Sequence, residues 1–272
     1  MFRAAAIQMA SGPHVDANLL EAERLIGQAA EAGARLVVLP ENFAFLGARE
    51  SDKLGVRERP GEGPIQAFLA QQAARHGIWL VGGTVPLATA AADRVRAACL
   101  LHGPDGALVA RYDKMHLFDV ELPEDGERYT ESETIEPGDG PVVAETGLGR
   151  LGLAICYDLR FPELFRVMVD QGMELLAVPS AFTAVTGRAH WELLVRTRAV
   201  ENQCHVVAAA QGGYHVNGRE THGDSMIVDP WGSVLGRLAR GAGVVVAEVD
   251  PERTRDIRGR FPALAHRRLR CG

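Results

Sequence analysis

The sequence predicts an α/β fold built as a four-layer α-β-β-α sandwich, and three observations lead there. Strand-like runs alternate with amphipathic helix-like runs through much of the chain. A length of 272 residues, 47% of them apolar, suits one large domain with a substantial core, spanning 1–272. The second half also replays the first. Residues 31–40 read EAGARLVVLP and residues 170–179 read DQGMELLAVP, each a helix end capped by Gly and then a buried strand closed by Pro. Two similar halves, each turning one sheet face to the other half and one to its own helices, make the sandwich, with sheets about 10 Å apart.

Residues 3–9 read as a first buried strand. Leu19, Leu20, Ala22, Leu25, Ile26 and Ala29 recur at helical spacing and predict a helix over 16–32, which Gly33 can cap. LVVLP over 36–40 is a buried strand, and a second helix runs from Pro64 through Ile65, Phe68 and Leu69 to Gly77. Strands follow at 78–85, 95–101 and 107–113, the last two joined by the turn Pro104-Asp105-Gly106. Residues 115–140 lack apolar periodicity and are rich in acidic, Gly and Pro residues. So long a structureless stretch inside a compact domain points to an active-site loop. Beyond it come a strand at 150–156, a helix at 161–171, a helix carrying Trp191, Leu194 and Val195, and strands at 204–211, 224–229, 233–238 and 243–249. TGLGRLG at 146–152 contains G-x-G-x-x-G, but it precedes a strand instead of following one, so it reads as a turn. Asn217-Gly218 marks another turn, in a loop placed to touch substrate or a neighbouring subunit.

Composition excludes several classes of partner. The formal charge is −6 with no Lys/Arg block, which argues against nucleic acid and for a small-molecule substrate. No run approaches the roughly 18 continuous apolar residues of a membrane span. The opening MFRAAAIQMA is a short apolar run broken by Gln8, read as a strand and not a signal peptide. Cys99, Cys156, Cys204 and Cys271 lie far apart with no C-x-x-C pair. That spacing suits neither a disulfide framework nor a zinc site, and it predicts a reducing, cytoplasmic setting. The nine histidines include no H-x-x-x-H or H-E-x-x-H, so metal-assisted hydrolysis finds no motif.

Three positions carry candidate chemistry. Cys156 ends the apolar run RLGLAIC, just before Pro162 opens a helix, where backbone N–H groups favour a nucleophile. A free thiol titrates near 8.5, so it needs a base or cation nearby; the alternative is a buried structural cysteine. Glu41 follows LVVLP at the carboxyl end of a strand, the edge where α/β sheets bind ligands. Lys114 lies in YDKMHLFD just past another strand. A cysteine–histidine arrangement with His116, His190 or His222 as base is the alternative, but the G-x-C-x-G elbow it would require is not present around Cys156.

VVLPENF, YDKMHLFD and GLAICYDLRFPE, in that order, resemble the three signature segments of the nitrilase, or carbon–nitrogen hydrolase, family. The likeness extends from the first strand to FPALAHRR near the end and is greatest to the Nit branch, which includes ω-amidases and deaminated glutathione amidases; AHWELLVRTRAVENQCHVVAAAQ and HGDSMIVDPWG look most like the latter. The resemblance implies Glu41 as general base, Cys156 as nucleophile and Lys114 with the Tyr157 N–H as oxyanion holder, with Glu131 keeping Lys114 positioned and charged. It implies hydrolysis of a primary amide on a carboxylate-bearing substrate, releasing ammonia through a thioester, without cofactor or metal. Nitriles and N-carbamoyl compounds would use the same three residues. Arg160 is expected either to fork onto a substrate carboxylate or to pair with Glu163 or Asp158. Phe182 and Thr186 match pocket-lining positions, with a core role open for Phe182; His190 and Trp191 are expected to support the site. A homodimer or larger homo-oligomer is implied, associating through surface helices and tails, here about residues 251–272. A non-catalytic protein of the same fold would be expected to lack a triad member, and none is missing.

Overall fold

The period-two alternation of the first strand sets the layering. In the computed structural model, which describes residues 1–122, 128–216 and 218–269, β1 (Phe2–Gln8) sends Ala4 and Ala6 into a core shared with the second half of the chain. Ala5 and Ile7 go instead into a separate core with the first helices.

The first half continues with α1 (Val15–Glu31), β2 (Ala34–Val38), α2 (Pro64–His76), β3 (Trp79–Val81), β4 (Val85–Ala88), β5 (Val95–His102) and β6 (Leu108–Asp113). A small hairpin, β7 (Asp119–Glu121) with β8 (Arg128–Thr130), precedes β9 (Val142–Thr146) and β10 (Gly149–Leu153). Next come α3 (Pro162–Asp170), β11 (Leu175–Ser180), α4 (Ala184–Asn202) and β12 (His205–Ala210). A second hairpin, β13 (Gly212–Tyr214) with β14 (Glu220–His222), leads to β15 (Ser225–Val228), β16 (Val234–Leu238), β17 (Gly243–Val249) and α5 (Pro251–Arg260).

One sheet has the order β17-β1-β2-β3-β5, with β4 and β6 also paired to β5; the other is β16-β15-β12-β11-β10-β9. The sheets pack on each other, α1 and α2 cover the outer face of the first, and α3 and α4 cover that of the second. This is the α-β-β-α order read from the sequence. The duplication is visible too: β1-α1-β2-α2-β3 and β10-α3-β11-α4-β12 are matching parallel units. Gly33 and Gly172, the paired cap glycines, have φ of +79° and +87°. Each donates its N–H to the carbonyl three residues back, Ala30 at 2.8 Å and Val169 at 2.9 Å. No helix among the described residues is long and apolar enough to cross a membrane.

Three expectations need correction. The single strand at 78–85 is two strands lying along the same edge of β5, interrupted at 82–84. The cause is a close approach: Gly83 has φ +53°, and a Cβ there would lie 2.1 Å from the Pro40 carbonyl oxygen. The stretch 115–140 is not structureless, since it holds the β7–β8 hairpin and a short helix at Glu131–Glu133; residues 123–127 lie outside the described residues. The helix expected at 161–171 begins at Pro162, preceded by a separate tight helix over Cys156–Arg160. The tail packs on its own chain, with Arg258 donating to Gln203, Met173 and Asn202 carbonyls and Arg267 paired with Asp170.

Burial also makes the fold acid-sensitive. His102 and His205, 4% and 1% exposed, are pushed down from 6.5 to about 4 by burial. The unfolded chain therefore binds more protons than the folded one between pH 6.5 and 4. Their contribution is present above 6.5 and lost as the pH falls toward 4, on the order of 2 kcal/mol per histidine. Urea unfolding across that window is expected to show a falling midpoint, and His205→Gln a shallower fall; a midpoint level from pH 6.5 to 4 would contradict the assignment.

Candidate active site

The strand break that separates β3 from β4 makes room for the segment carrying Glu41. After β2, Leu39 still donates to Val81, then the chain turns at Asn42, which has φ +58°. The Asn42 N–H donates to Thr84 Oγ1 at 2.8 Å, inside the break. From the other sheet, Gln211 donates through Nε2 to the Glu41 carbonyl at 3.0 Å and to Ser11 Oγ at 2.8 Å. The Glu41 backbone is thus gripped by both halves, and its side chain is 4% exposed.

Cys156 lies at the opposite half's equivalent edge. Its φ is +47°, a left-handed conformation that costs a non-glycine residue about 1–2 kcal/mol. That turn lifts the side chain off β10 into the space between the sheets. Asp158, fully buried, holds it there. Oδ2 accepts from the Ile155 N–H at 2.8 Å and the Tyr112 hydroxyl at 2.7 Å. Oδ1 accepts from the His116 N–H at 3.2 Å and lies 2.7 Å from His116 Nδ1, while the imidazole stacks on Phe161 at 3.8 Å. One carboxylate therefore ties the cysteine turn to the residues on either side of Lys114. The sequence reading had weighed Asp158 only as a partner for Arg160.

Lys114, 1% exposed, extends past β6 into the same space. Nζ donates to Glu41 Oε1 at 2.8 Å and to Glu131 Oε1 and Oε2 at 2.9 and 2.8 Å. Glu131 opens its short helix, and its Oε2 also accepts from the Phe118 N–H at 2.8 Å. Burial alone would lower the ammonium, but Glu131 and Glu41 outweigh it and hold it well above the ordinary lysine value. The Cys156 thiol is pushed well up, by burial first and then by the Glu41 charge, against the opposing pull of Lys114 and the Ala181 N–H, which reaches Sγ at 3.5 Å. Both of the larger influences favour the protonated thiol. Cys99 and Cys204 are buried, free thiols as well but do not line the cleft; burial dominates both, and Cys204 is raised to about 12. Cys271 lies outside the described residues.

The cleft over the sulfur is lined by all eight residues the sequence singled out: Glu41, Lys114, Glu131, Cys156, Tyr157, Arg160, Phe182 and Thr186. The Arg160 guanidinium lies 5.7 Å from the Tyr157 ring centre and 5.4 Å from that of Phe182, with Nη1 3.3 Å from His190 Nδ1. Neither Glu163 nor Asp158 pairs with it, so the ion-pair alternative falls away. Phe182 serves in both expected capacities, packed edge-on against Trp191 at 5.0 Å while facing the cleft. Thr183 caps α4 by accepting from the Thr186 N–H, and both threonines line the cleft. Trp191 is fully buried and donates to the Asp224 carbonyl. His116 faces Asp158 and His222 sits toward Asp224, which leaves Glu41 as the group beside the thiol.

Sequence reasoning missed Asn42, Glu50, Phe118 and Arg219 in the lining. Asn42 could have been found from its place beside Glu41. Arg219, which donates to the Ala181 carbonyl at 2.9 Å, had no local signal because the turn of the second hairpin brings it to the cleft. Of the turn expected at 217–218, Asn217 lies outside the described residues and Gly218 has φ +81°.

A buried thiol, carboxylate and ammonium are thus gathered between two α/β half-sandwiches, an arrangement suited to a hydrolase. The chain belongs to the carbon-nitrogen hydrolase family, whose description matches residues 3–259. It is 45% identical over 269 residues to a deaminated glutathione amidase of Synechocystis, covering 98% of both chains. Among solved structures it resembles Saccharomyces cerevisiae Nit3, of branch 10 of the nitrilase superfamily, at a TM-score of 0.88 and 32% identity over 98% of this chain and 97% of that one. It also resembles the Caenorhabditis elegans NitFhit protein, at a TM-score of 0.91 and 38% identity, covering 98% of this chain and 65% of that longer one.

Asp158→Ala removes one acceptor that four donors share, leaving them unpaired in the interior. The expected loss is about 3–5 kcal/mol of stability, with Asp158→Asn recovering part of it because Asn keeps one carbonyl oxygen. Urea unfolding of the three proteins checks this; an alanine variant within about 1 kcal/mol of the parent would show the clamp to be dispensable.

Proposed function

We propose that this carbon–nitrogen hydrolase is an amidase that cleaves a linear amide on a small carboxylate-bearing substrate, deaminated glutathione foremost, through a thioester. The observation that carries the reading is the Glu41–Lys114–Glu131 charge set buried beside the Cys156 thiol in one cleft.

In this reading Glu41 takes the thiol proton as sulfur attacks the amide carbonyl. The oxyanion that forms is met by Lys114 Nζ and by the Tyr157 N–H, one of the donors left without an intrahelical partner at a helix start. Glu41 then passes the proton to the departing nitrogen, the C–N bond breaks, and a thioester remains. With the amine gone, Glu41 draws a proton from water, which attacks the thioester and releases the acid and the thiol. Glu131, with both oxygens on Nζ, keeps the ammonium charged and fixed. Arg160, backed by two aromatic rings, is suited to the carboxylate of the acyl portion.

The leaving group distinguishes substrates. A primary amide such as 2-oxoglutaramate would release ammonia. Deaminated glutathione, a tripeptide that has lost its amino group, has only secondary amides and would release an amine. Cytoplasmic residence, suited to the free thiols Cys99, Cys156 and Cys204, and association into a homodimer or larger homo-oligomer belong to the same proposal.

The test compares deaminated glutathione, 2-oxoglutaramate, simple nitriles and N-carbamoyl amino acids, with ammonia and released amine measured separately. Turnover of deaminated glutathione is expected to exceed that of the others. Cys156→Ala is expected to abolish it and Glu41→Gln to slow it roughly 10²–10⁴-fold. Unchanged turnover in Cys156→Ala would defeat the reading.

A further inference from the structure

Arg198 is a buried charge that the proposed chemistry does not use. It lies in the last turns of α4, 5% exposed. Burial first, and then the neighbouring Arg166, brings its guanidinium down to about 10, with Glu163 opposing, so it is charged at neutral pH. Its Nη1 donates to Glu201, and its guanidinium carbon lies 5.2 Å from the ring centre of Phe165, which is fully buried. Glu201 is itself 3.7 Å from Arg166, and its carbonyl accepts from Arg166 Nη1 at 2.8 Å. Held on these sides, Arg198 directs Nε to the Leu159 carbonyl, at 3.0 Å.

Leu159 belongs to the tight helix that starts at Cys156 and ends at Arg160. Earlier carbonyls of that turn are used locally: Ile155 accepts from the Asp158 N–H and Asp158 from the Phe161 N–H, both at 3.0 Å. Leu159 is fully buried, and a buried carbonyl without a partner is costly. A neutral donor would satisfy it as well; a guanidinium braced by a carboxylate and a ring adds a fixed direction. The helix therefore has a different anchor at each end. Asp158 ties the start through the Ile155 N–H, and Arg198 ties the end. The next side chain after Leu159 is Arg160, set in the cleft near the Tyr157 and Phe182 rings. Helix α4 reaches this side chain too. Roughly two turns before Arg198, His190 Nδ1 lies 3.3 Å from Arg160 Nη1 and acts as acceptor, because a guanidinium only donates. One helix thus grips Arg160 at the preceding carbonyl and at the guanidinium tip.

We infer that Arg198 is a positioning residue for carboxylate recognition: by holding the Leu159 carbonyl it sets where Arg160 stands in the cleft, while the cysteine end of the helix keeps its own anchor. This rests on the proposed meeting of Arg160 with a substrate carboxylate, so the test separates binding from turnover and from thiol reactivity. Arg198→Met removes the donor at similar length, and Arg198→Lys keeps the charge beside Glu201 without the planar fork. Each is compared with the parent in 2-oxoglutaramate kinetics, in calorimetric binding of 2-oxoglutarate, and in alkylation of Cys156 by iodoacetamide, read by peptide mass spectrometry. In Arg198→Met the KM and the dissociation constant are both expected to rise about tenfold, and less in Arg198→Lys, while kcat and the alkylation rate hold. Unchanged KM and binding in Arg198→Met would overturn the role. So would a parallel fall in kcat and alkylation, which would place the effect at the sulfur or in the fold as a whole. If Arg198→Met does not fold, Arg198→Lys decides on the same terms. A parent that does not bind 2-oxoglutarate would remove the carboxylate role of Arg160 and this inference with it. A parent that binds it, with weaker binding in the variants but no turnover of any amide, would overturn the amidase reading and leave the positioning role standing.

Discussion

A buried lysine ammonium is the constraint around which the rest is arranged. Removing such a charge from water costs several kcal/mol even after the protein relaxes, and only close, well-oriented opposite charges offset it. Lys114 meets that condition with two carboxylates at 2.8–2.9 Å, one from each side of the cleft. Truncating either carboxylate would leave a poorly compensated cation in the interior. The ammonium therefore holds three segments together: the end of β2 with Glu41, the end of β6, and the short helix opened by Glu131.

The sandwich supplies those segments at one place because both halves end their parallel strands in the same region. Glu41 follows β2 in one sheet, and Cys156 and Ala181 follow β10 and β11 in the other. Two of the polar links between the halves meet at the site. Gln211 grips the Glu41 backbone, and Asp158 ties the cysteine turn to Tyr112 and His116. The strained φ at Cys156 is sustained by this pairing, since the Asp158 bond to the Ile155 N–H fixes the residue just before it. The break between β3 and β4 has the same logic. An uninterrupted strand would put a side chain against Pro40, so Gly83 gives up regular geometry to let the Glu41 turn close.

What was legible in the sequence follows from how far each signal reaches. Parallel strands buried on both faces, such as β11 and β12, show as unbroken apolar runs, and the repeated helix–Gly–strand–Pro segments revealed the two halves. Glu41, Lys114 and Cys156 could be singled out because each closes a strand. The interruption at 82–84 was hidden, since its cause lies some forty residues away at Pro40. Asp158 looked like an ordinary acidic residue in a helix start, and only the arrival of Tyr112 and His116 from β6 makes it a hub. Arg219 was invisible for the same reason. Short hairpins such as β7–β8 carry too few residues for a period to show.

The electrostatics of the resting site bear on when the nucleophile can form. One ammonium faces two carboxylates, so a thiolate at Cys156 would add a further negative charge in a place already short of positive charge and of water. That favours the protonated thiol despite a lysine nearby, unlike cysteines activated by a cation alone. In the proposed mechanism the proton moves to Glu41 as the negative charge leaves sulfur for an incoming carbonyl oxygen, where Lys114 can meet it. Proton transfer and bond formation are then coupled by charge balance. In the same mechanism Glu131 has a part although it touches neither sulfur nor the proposed path of the proton. Without it Glu41 alone would have to hold the ammonium, and a carboxylate so engaged is a poorer base.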